Sequence, residues 1–290
     1  MYRIILSIIL LGGFSTQWTK AQKPAYKLYD NKGKEIAFDK LVDKVKKADV
    51  IFFGELHSDP LAHWLELELT KALYQTKNTN LVLAAEMFES DNQLILDEYL
   101  DGIISEKSFE EEAKLWKNYK TDYKPLVTFA KENGLSFIAT NIPRRYASLV
   151  AKEGFEGLTK LSTEALEYIA PLPIEYNPDL EGYKKMLEMS HMGGMKPNEN
   201  FPKAQAIKDA TMAYFILKNR NRNDLVLHFN GSYHSENHEG IVWYINQKKP
   251  GLKIITISTV QQKDVLNPDA SIFNKADFIL VTPSSMTQTY

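Results

Sequence analysis

Cysteine is absent from all 290 residues. That excludes disulfides, a Cys-anchored lipoprotein leader, and any zinc, haem or iron–sulfur centre held by thiolate. An excess of charge is also missing. The chain has 35 Lys and Arg against 37 Asp and Glu, a net charge of −2, which gives no electrostatic case for nucleic acid or an anionic membrane surface. There is no internal repeat and no low-complexity segment. None of the patterns G-x-S-x-G, H-E-x-x-H, Walker A or G-x-G-x-x-G occurs, so the commonest hydrolase and nucleotide signatures are missing too.

The first residues read as a secretory signal. Arg3 supplies a positive start, Ile4 to Phe14 an apolar run too short for a bilayer span, and Thr19-Lys20-Ala21 a small-x-small cleavage site. Residues 1–21 are thus expected to be a signal peptide. Residues 22–290 are expected to form a single domain in the periplasm or at the cell surface. Held together without disulfides, that domain relies on its core. Hydrophobic residues at 44 % and charged residues at 25 % are ordinary for a globular protein. The supply of Tyr (15), Phe (14) and Trp (4) suits large core side chains and a flat hydrophobic ligand.

The most informative stretch runs from Asp49 to Pro60. Val50-Ile51-Phe52-Phe53 is too short for a helix and reads as a buried strand. Gly54 ends it, Glu55 and His57 follow, and Ser58-Asp59-Pro60 open a helix with a polar cap and Pro at its first position. Before it, Tyr26–Tyr29 and Glu35–Phe38 flank Asn31-Lys32-Gly33 as a hairpin, and Lys40–Lys47 reads as a short helix. After it, apolar runs at Leu81–Ala85, Leu135–Ala139, Leu225–Phe229, Lys253–Ile257 and Phe278–Val281 alternate with helical periodicity. The helical segments are Leu61–Tyr74, Asn92–Leu100, Tyr123–Asn133, Ala204–Asn219 and Glu239–Asn246. This alternation implies an α/β fold with a mostly parallel central sheet covered by helices on both faces. From about 154 to 200 the pattern weakens around Pro171, Pro173 and Pro178. There Met186, Met189, Met192 and Met195 cluster about Gly193-Gly194, which reads as a helical insertion acting as a cap.

Ligands of such sheets bind outside the carboxyl ends of the strands. Four strands end in polar or ionisable groups, namely Glu55 with His57, Glu86, Asn141 with Arg144 and Arg145, and His234. One such residue is commonly a solvated loop carboxylate or a structural histidine; the set acquires meaning because the rule puts all four on one rim. Glu86, between Ala85 and Met87, needs a cation such as Arg144 or Arg145, or else serves as a metal ligand or base. His63 reads as a surface histidine or a rim residue, His191 as a cap residue over the site, His238 as a helix-start residue, and His228 as core. Two chemistries stay open. Glu55, His57, Glu86 and His234 could hold a divalent metal or run acid–base hydrolysis of an ester or amide. Alternatively, the Met and Tyr content of the insertion fills core gaps or lines an adaptable site for a flat hydrophobic ligand.

A series of short motifs in order resembles the ChaN-type haem-binding uptake proteins, relatives of the Tiki/TraB and erythromycin-esterase-like proteins. They are Gly54-Glu55-Leu56-His57 with His63, Glu86-Met87-Phe88, Gln93, Tyr99–Gly102, Trp116, Tyr123–Leu126, Ile138–Arg144, Ala204–Ala213 and Asn230–His234. The resemblance implies an exported haem- and iron-binding protein in uptake, haem held between two subunits through Tyr and His, and association with outer-membrane uptake machinery. Its superfamily also implies the alternative of a metal-dependent peptidase or esterase. Carried onto this chain, the cofactor-binding candidates are His63, Asn141, Arg144, His191 and Tyr183, with Tyr176 a further phenol in the insertion. The chain departs from the family in lacking the lipoprotein Cys and in following His63 with Trp64 rather than a second histidine.

Overall fold

The computed structural model describes residues 23–192 and 198–290, without the side chains of 189–192. The expected signal at 1–21 and the Gly193-Gly194 and Met195 positions lie outside the described residues.

Among the described residues, eight strands form one sheet: β1 (Lys27–Asp30), β2 (Glu35–Ile36), β3 (Val50–Glu55), β4 (Leu81–Glu89), β5 (Phe137–Asn141), β6 (Leu225–Gly231), β7 (Ile254–Gln262) and β8 (Phe278–Pro283). Their order is β2-β1-β8-β7-β3-β6-β4-β5. The six strands from β8 to β5 are parallel, and the β1–β2 hairpin adds antiparallel to β8. Gly33 sits in the hairpin loop at φ 77°, as that turn requires.

The helices are α1 (Phe38–Val45), α2 (Pro60–Lys77), α3 (Gln93–Leu100), α4 (Glu106–Glu112), α5 (Lys124–Asn133), α6 (Arg144–Glu153), α7 (Thr163–Leu166), α8 (Glu181–Met192), α9 (Asn200–Asn219) and α10 (Ile241–Lys248). Alternate residues of each continuous apolar strand feed opposite faces. Ile51 and Phe53, Leu81 and Leu83, Leu225 and Leu227 pack with Leu65, Leu69, Leu73 and Leu126 of α2 and α5. Val50, Phe52, Val82 and Val226 pack with Ala210, Met212, Ile216, Ile241 and Ile245 of α9 and α10. Both faces are therefore dry, as a parallel sheet needs.

Most of the parallel strands outlast the apolar runs that announced them. β4 continues through Glu86 to Glu89, β6 to Gly231 and β7 to Gln262. The ladder pairs the polar ends of β6 and β7 inside the sheet, and Glu86 lies within β4, so it is a strand residue rather than a strand exit. Its neighbourhood is irregular, because the β4–β5 register shifts between Ala85 and Glu89. The 154–200 stretch holds α7 and α8, with α8 packed on α9.

Gly54 fixes how closely the sheet closes here. A Cβ at this position would lie 2.9 Å from both the Ile257 carbonyl oxygen and Ser232 Cα. Both are backbone positions paired or turned tightly against β3, so neither can yield cheaply. Gly54→Ala is expected to cost about 1–3 kcal/mol, seen as a lower urea midpoint with an unchanged slope. A midpoint equal to the parent's would refute this packing.

Candidate functional site

The central strand ends on Glu55, whose carboxylate is buried. An isolated buried charge is costly, so its partners define the site. Oε1 accepts from Tyr123 OH at 2.7 Å and lies 2.6 Å from His57 Nδ1. Oε2 lies 3.0 Å from His63 Nε2. Burial pushes the Glu55 carboxyl up, but the hydrogen bond from His57 and the charges of His63 and His57 overcome it and bring it down to about 2. Burial pulls the His57 imidazole down; the Glu55 hydrogen bond and the Glu86 charge outweigh that and raise it.

Asp59 builds the turn that follows. One oxygen caps α2 by accepting from the Leu61 and Ala62 amides, at 3.0 and 3.2 Å. The other takes Thr282 Oγ1 at 2.5 Å and Gln261 Nε2 at 3.1 Å, pinning the helix start to β7 and β8. The first turns of α2 then face the sheet, and His63 and Glu66 are buried. His63 Nδ1 is 3.3 Å from Asp122 Oδ2. Asp122 belongs to a π-type turn, Tyr119–Tyr123, and is held by Asn118 Nδ2 at 2.6 Å and Thr289 Oγ1 at 2.8 Å. Burial, then the charge of Glu55, raises Glu66 well above the carboxylate range.

Glu86 is satisfied by other means. Its Oε2 accepts from the Gly231 amide at 2.8 Å, and its Oε1 is 3.2 Å from His234 Nε2. His234 Nδ1 is 2.5 Å from Asp209 Oδ1, and Tyr183 OH donates to Asp209 Oδ2 at 2.7 Å. Gln205 Nε2 lies 2.8 Å from His234 Nε2. Burial lowers the His234 imidazole, but the charges of Glu86 and Asp209 dominate and raise it to about 10. Burial likewise raises Glu86, and the charge and hydrogen bond of His234 hold it well below the usual carboxylate range. His234 is thus a cation clamped between two carboxylates.

These groups meet at a cavity of about 820 Å³ beyond the carboxyl ends of β3 to β7. Glu55, His57, Glu86, Asn141, Arg144 and His234 all line it, alongside Trp116, Ile142, Met186, Lys208 and Tyr233. The His57 ring stands edge-on to Trp116 with centroids 4.8 Å apart. His57 Nε2 faces Gly231, where a Cβ would come within 2.8 Å of it.

Other residues singled out from the sequence lie elsewhere. His63 is not at the surface and does not line the cavity, because the Asp59 cap turns it under Glu55. Tyr183 is buried, with its hydroxyl directed to Asp209. Tyr176 packs on Tyr183 and Phe155. Neither arginine reaches Glu86. Arg144 lies 4.0 Å from Glu89 and Arg145 pairs with Asp91 at 2.6 Å, while the Gly231 amide and His234 occupy the carboxylate. His228 is a core residue held by Thr140 at 2.8 Å and Asn230 at 3.0 Å. His238 pairs with Asp277 at 3.1 Å. The His191 side chain lies outside the described residues. Sequence reasoning passed over Glu66, Asp209 and Tyr233. The first two leave a trace, a carboxylate on the buried stripe of a helix otherwise faced with Leu65 and Leu69, or with Ala206, Ala210 and Ala213.

A family profile described as "Haem-binding uptake, Tiki superfamily, ChaN" matches residues 41–245. Among solved structures, ChaN of Campylobacter jejuni, described as showing cofacial haem binding, superposes with a TM-score of 0.69 at 21 % identity, covering 89 % of this chain and 97 % of that one. An erythromycin esterase mutant (EreC) in its open conformation superposes at 0.53 and 10 % identity, again over 89 % and 97 %. At these identities the likeness is one of fold. Protein RETICULATA-RELATED 5, chloroplastic, of Arabidopsis thaliana is 25 % identical over 188 residues, 61 % of this chain, and the chain spans about a quarter (25 %) of that relative's length.

The clamp on His234 makes stability depend on pH. With its imidazole raised from 6.5 to about 10, its contribution is complete below pH 6.5 and is lost as pH rises through about 10. Glu86 is depressed, so its contribution holds above the unfolded value of 4.5 and is lost on acidification. Urea unfolding followed across that alkaline window is expected to show the parent losing stability and converging on His234→Gln. Parallel curves for the two proteins would refute the clamp.

Proposed function

Given that the chain belongs to the ChaN family of the Tiki superfamily, described as haem-binding uptake proteins, we propose that it binds haem at the cavity beyond β3 to β7. The observation that carries this reading is the composition of the cavity lining. Trp116, Ile142, Met186 and Tyr233 offer flat and adaptable apolar surface beside an imidazole, with Arg144 and Lys208 on the same lining for anionic side groups. His57 has the form of a metal-ligating histidine, with Nδ1 on a buried carboxylate and the other nitrogen facing Gly231 on the cavity lining. Tyr233, 37 % exposed, supplies the phenol on the lining, in place of Tyr183. The residues present therefore fit the group. His57 or Tyr233 would ligate the iron, Trp116 and Met186 would cover the ring, and Arg144 and Lys208 would meet its carboxylates. Haem supplies a redox-active iron whose behaviour follows its axial ligand. The protein's part is to position that ligand and exclude water.

The same proposal covers the biological setting: an exported protein acting in haem or iron uptake, working as a homodimer beside outer-membrane uptake machinery. Its supports are the N-terminal signal pattern and the family description. A metal-dependent hydrolase using Glu55, His57, Glu86 and His234 is the weaker reading. His234 is spent as a clamped cation and Glu86 is capped by the Gly231 amide, so neither is poised as a base.

Titration of the purified chain with hemin is expected to give a saturable Soret shift. His57→Ala or Tyr233→Phe, whichever removes the iron ligand, is expected to move the Soret position and weaken binding at least about tenfold. Trp116→Ala is expected to weaken binding without moving the band. Absence of saturation in the parent overturns the proposal.

A further inference from the structure

Beneath the cavity floor lies a second polar cluster that the haem reading does not use. Among the described residues, the grouping of imidazole and carboxylate ligand atoms that lie within 4.8 Å of one another is Glu55, His63 and Glu66. All are buried, Glu66 completely. Glu55 Oε2, both ring nitrogens of His63 and both oxygens of Glu66 have no hydrogen-bond partner. Buried polar atoms are ordinarily satisfied, and three side chains that leave such atoms unsatisfied while bringing one ligand atom each within 4.8 Å of the others need an explanation. A tight ion pair does not supply it. His63 Nε2 lies 3.0 Å from Glu55 Oε2 without hydrogen-bond alignment, and Glu66 brings a further carboxyl group with no counter-cation.

We propose that Glu55, His63 and Glu66 form a buried site for one first-row divalent cation, of the zinc or manganese class, directly under the Glu55–His57 pair. One imidazole with two carboxylates and no thiolate is a donor set those ions accept. The surroundings are those of a metal-bound histidine. His63 Nδ1 lies 3.3 Å from Asp122 Oδ2, which leaves Nε2 for the ion, and Asp122 is itself fixed by Asn118 and Thr289. Such a carboxylate behind the imidazole sets the ring's orientation and basicity. A divalent charge would also neutralise two carboxylates in a place water does not reach. The site is distinct from the rim. It shares Glu55 with the cavity but takes neither Glu86 nor His234, which are already committed to Gly231 and Asp209. It does not depend on haem binding.

The test uses the untagged purified chain, stripped with chelator and offered zinc or manganese alone. Elemental analysis and calorimetry are expected to give one ion per chain. Glu66→Gln should abolish stoichiometric binding, and Asp122→Asn should weaken it about 10- to 100-fold. Glu86→Gln should leave the ion in place. X-ray absorption on the loaded parent, which requires no variant to fold, is expected to show one imidazole and oxygen donors. No stoichiometric ion in the parent would mean that the cluster merely shares protons, and would overturn the site. A shell with two imidazoles would move the ion to the rim and overturn it equally. So would an ion retained in folded Glu66→Gln.

Discussion

A charged carboxylate with almost no contact with water ends the central strand, and much of the surrounding architecture follows from keeping it charged. Taking an ion out of water costs several kcal/mol unless partners replace the solvent. Glu55 draws those partners from three directions: the loop behind it (His57), the first turn of α2 (His63) and the π-type turn before α5 (Tyr123). Each partner must be held in its turn. Asn118 bridges the His57 carbonyl and Asp122, at 2.9 and 2.6 Å. Asp59 ties the start of α2 to β7 and β8. Thr289 brings the end of the chain back onto Asp122 and the Ser58 carbonyl. Elements far apart in sequence are thus fastened around one side chain.

Glu86 meets the same cost with a different solution, and the contrast decides what each half of the cavity can do. A backbone amide takes one oxygen and a buried imidazole the other, and that imidazole passes its second nitrogen to Asp209 and so to Tyr183. Nothing in this relay is left over for a ligand. His57 differs. Only one nitrogen is engaged, and a third of the side chain is exposed (33 %). Two carboxylate–imidazole pairs share the cavity, one closed on itself and one open. Gly231 is the seam between them, since its amide serves Glu86 while the absent side chain makes room for the His57 ring.

Much of the fold was legible because its signals are local. Runs such as Val50–Phe53 and Leu225–Phe229 are apolar on both faces, which happens when helices cover a parallel sheet on both sides. The Asp59-Pro60 start of α2 is equally local. Strand ends were less legible. Glu86, Asn230 and Ser258 are polar yet lie within their strands, and a hydropathy reading stops before them. For the site, the rule that ligands sit beyond strand termini placed Glu55, His57, Glu86, Asn141 and His234 at one end of the sheet. It could not say which of them would be spent on one another. Arg144 was an obvious partner for Glu86 by charge, but the Gly231 amide and His234 stand closer in space.

What the sequence determined by itself was the α/β class, the absence of any thiolate chemistry, and the strand exits that carry ionisable groups. Each of these follows from composition or from spacing along a few residues. Only the tertiary structure decided the pairings. It buried His63 under Glu55 instead of leaving it at the surface, directed Tyr183 to Asp209 instead of the cavity, and set Glu66 beside Glu55 without a hydrogen-bond partner. The physical reason is that a charge's partner is chosen by distance and burial, and both are set by which strands are neighbours. The order β7-β3-β6-β4 brings residues 55, 86 and 231 together although the chain separates them widely.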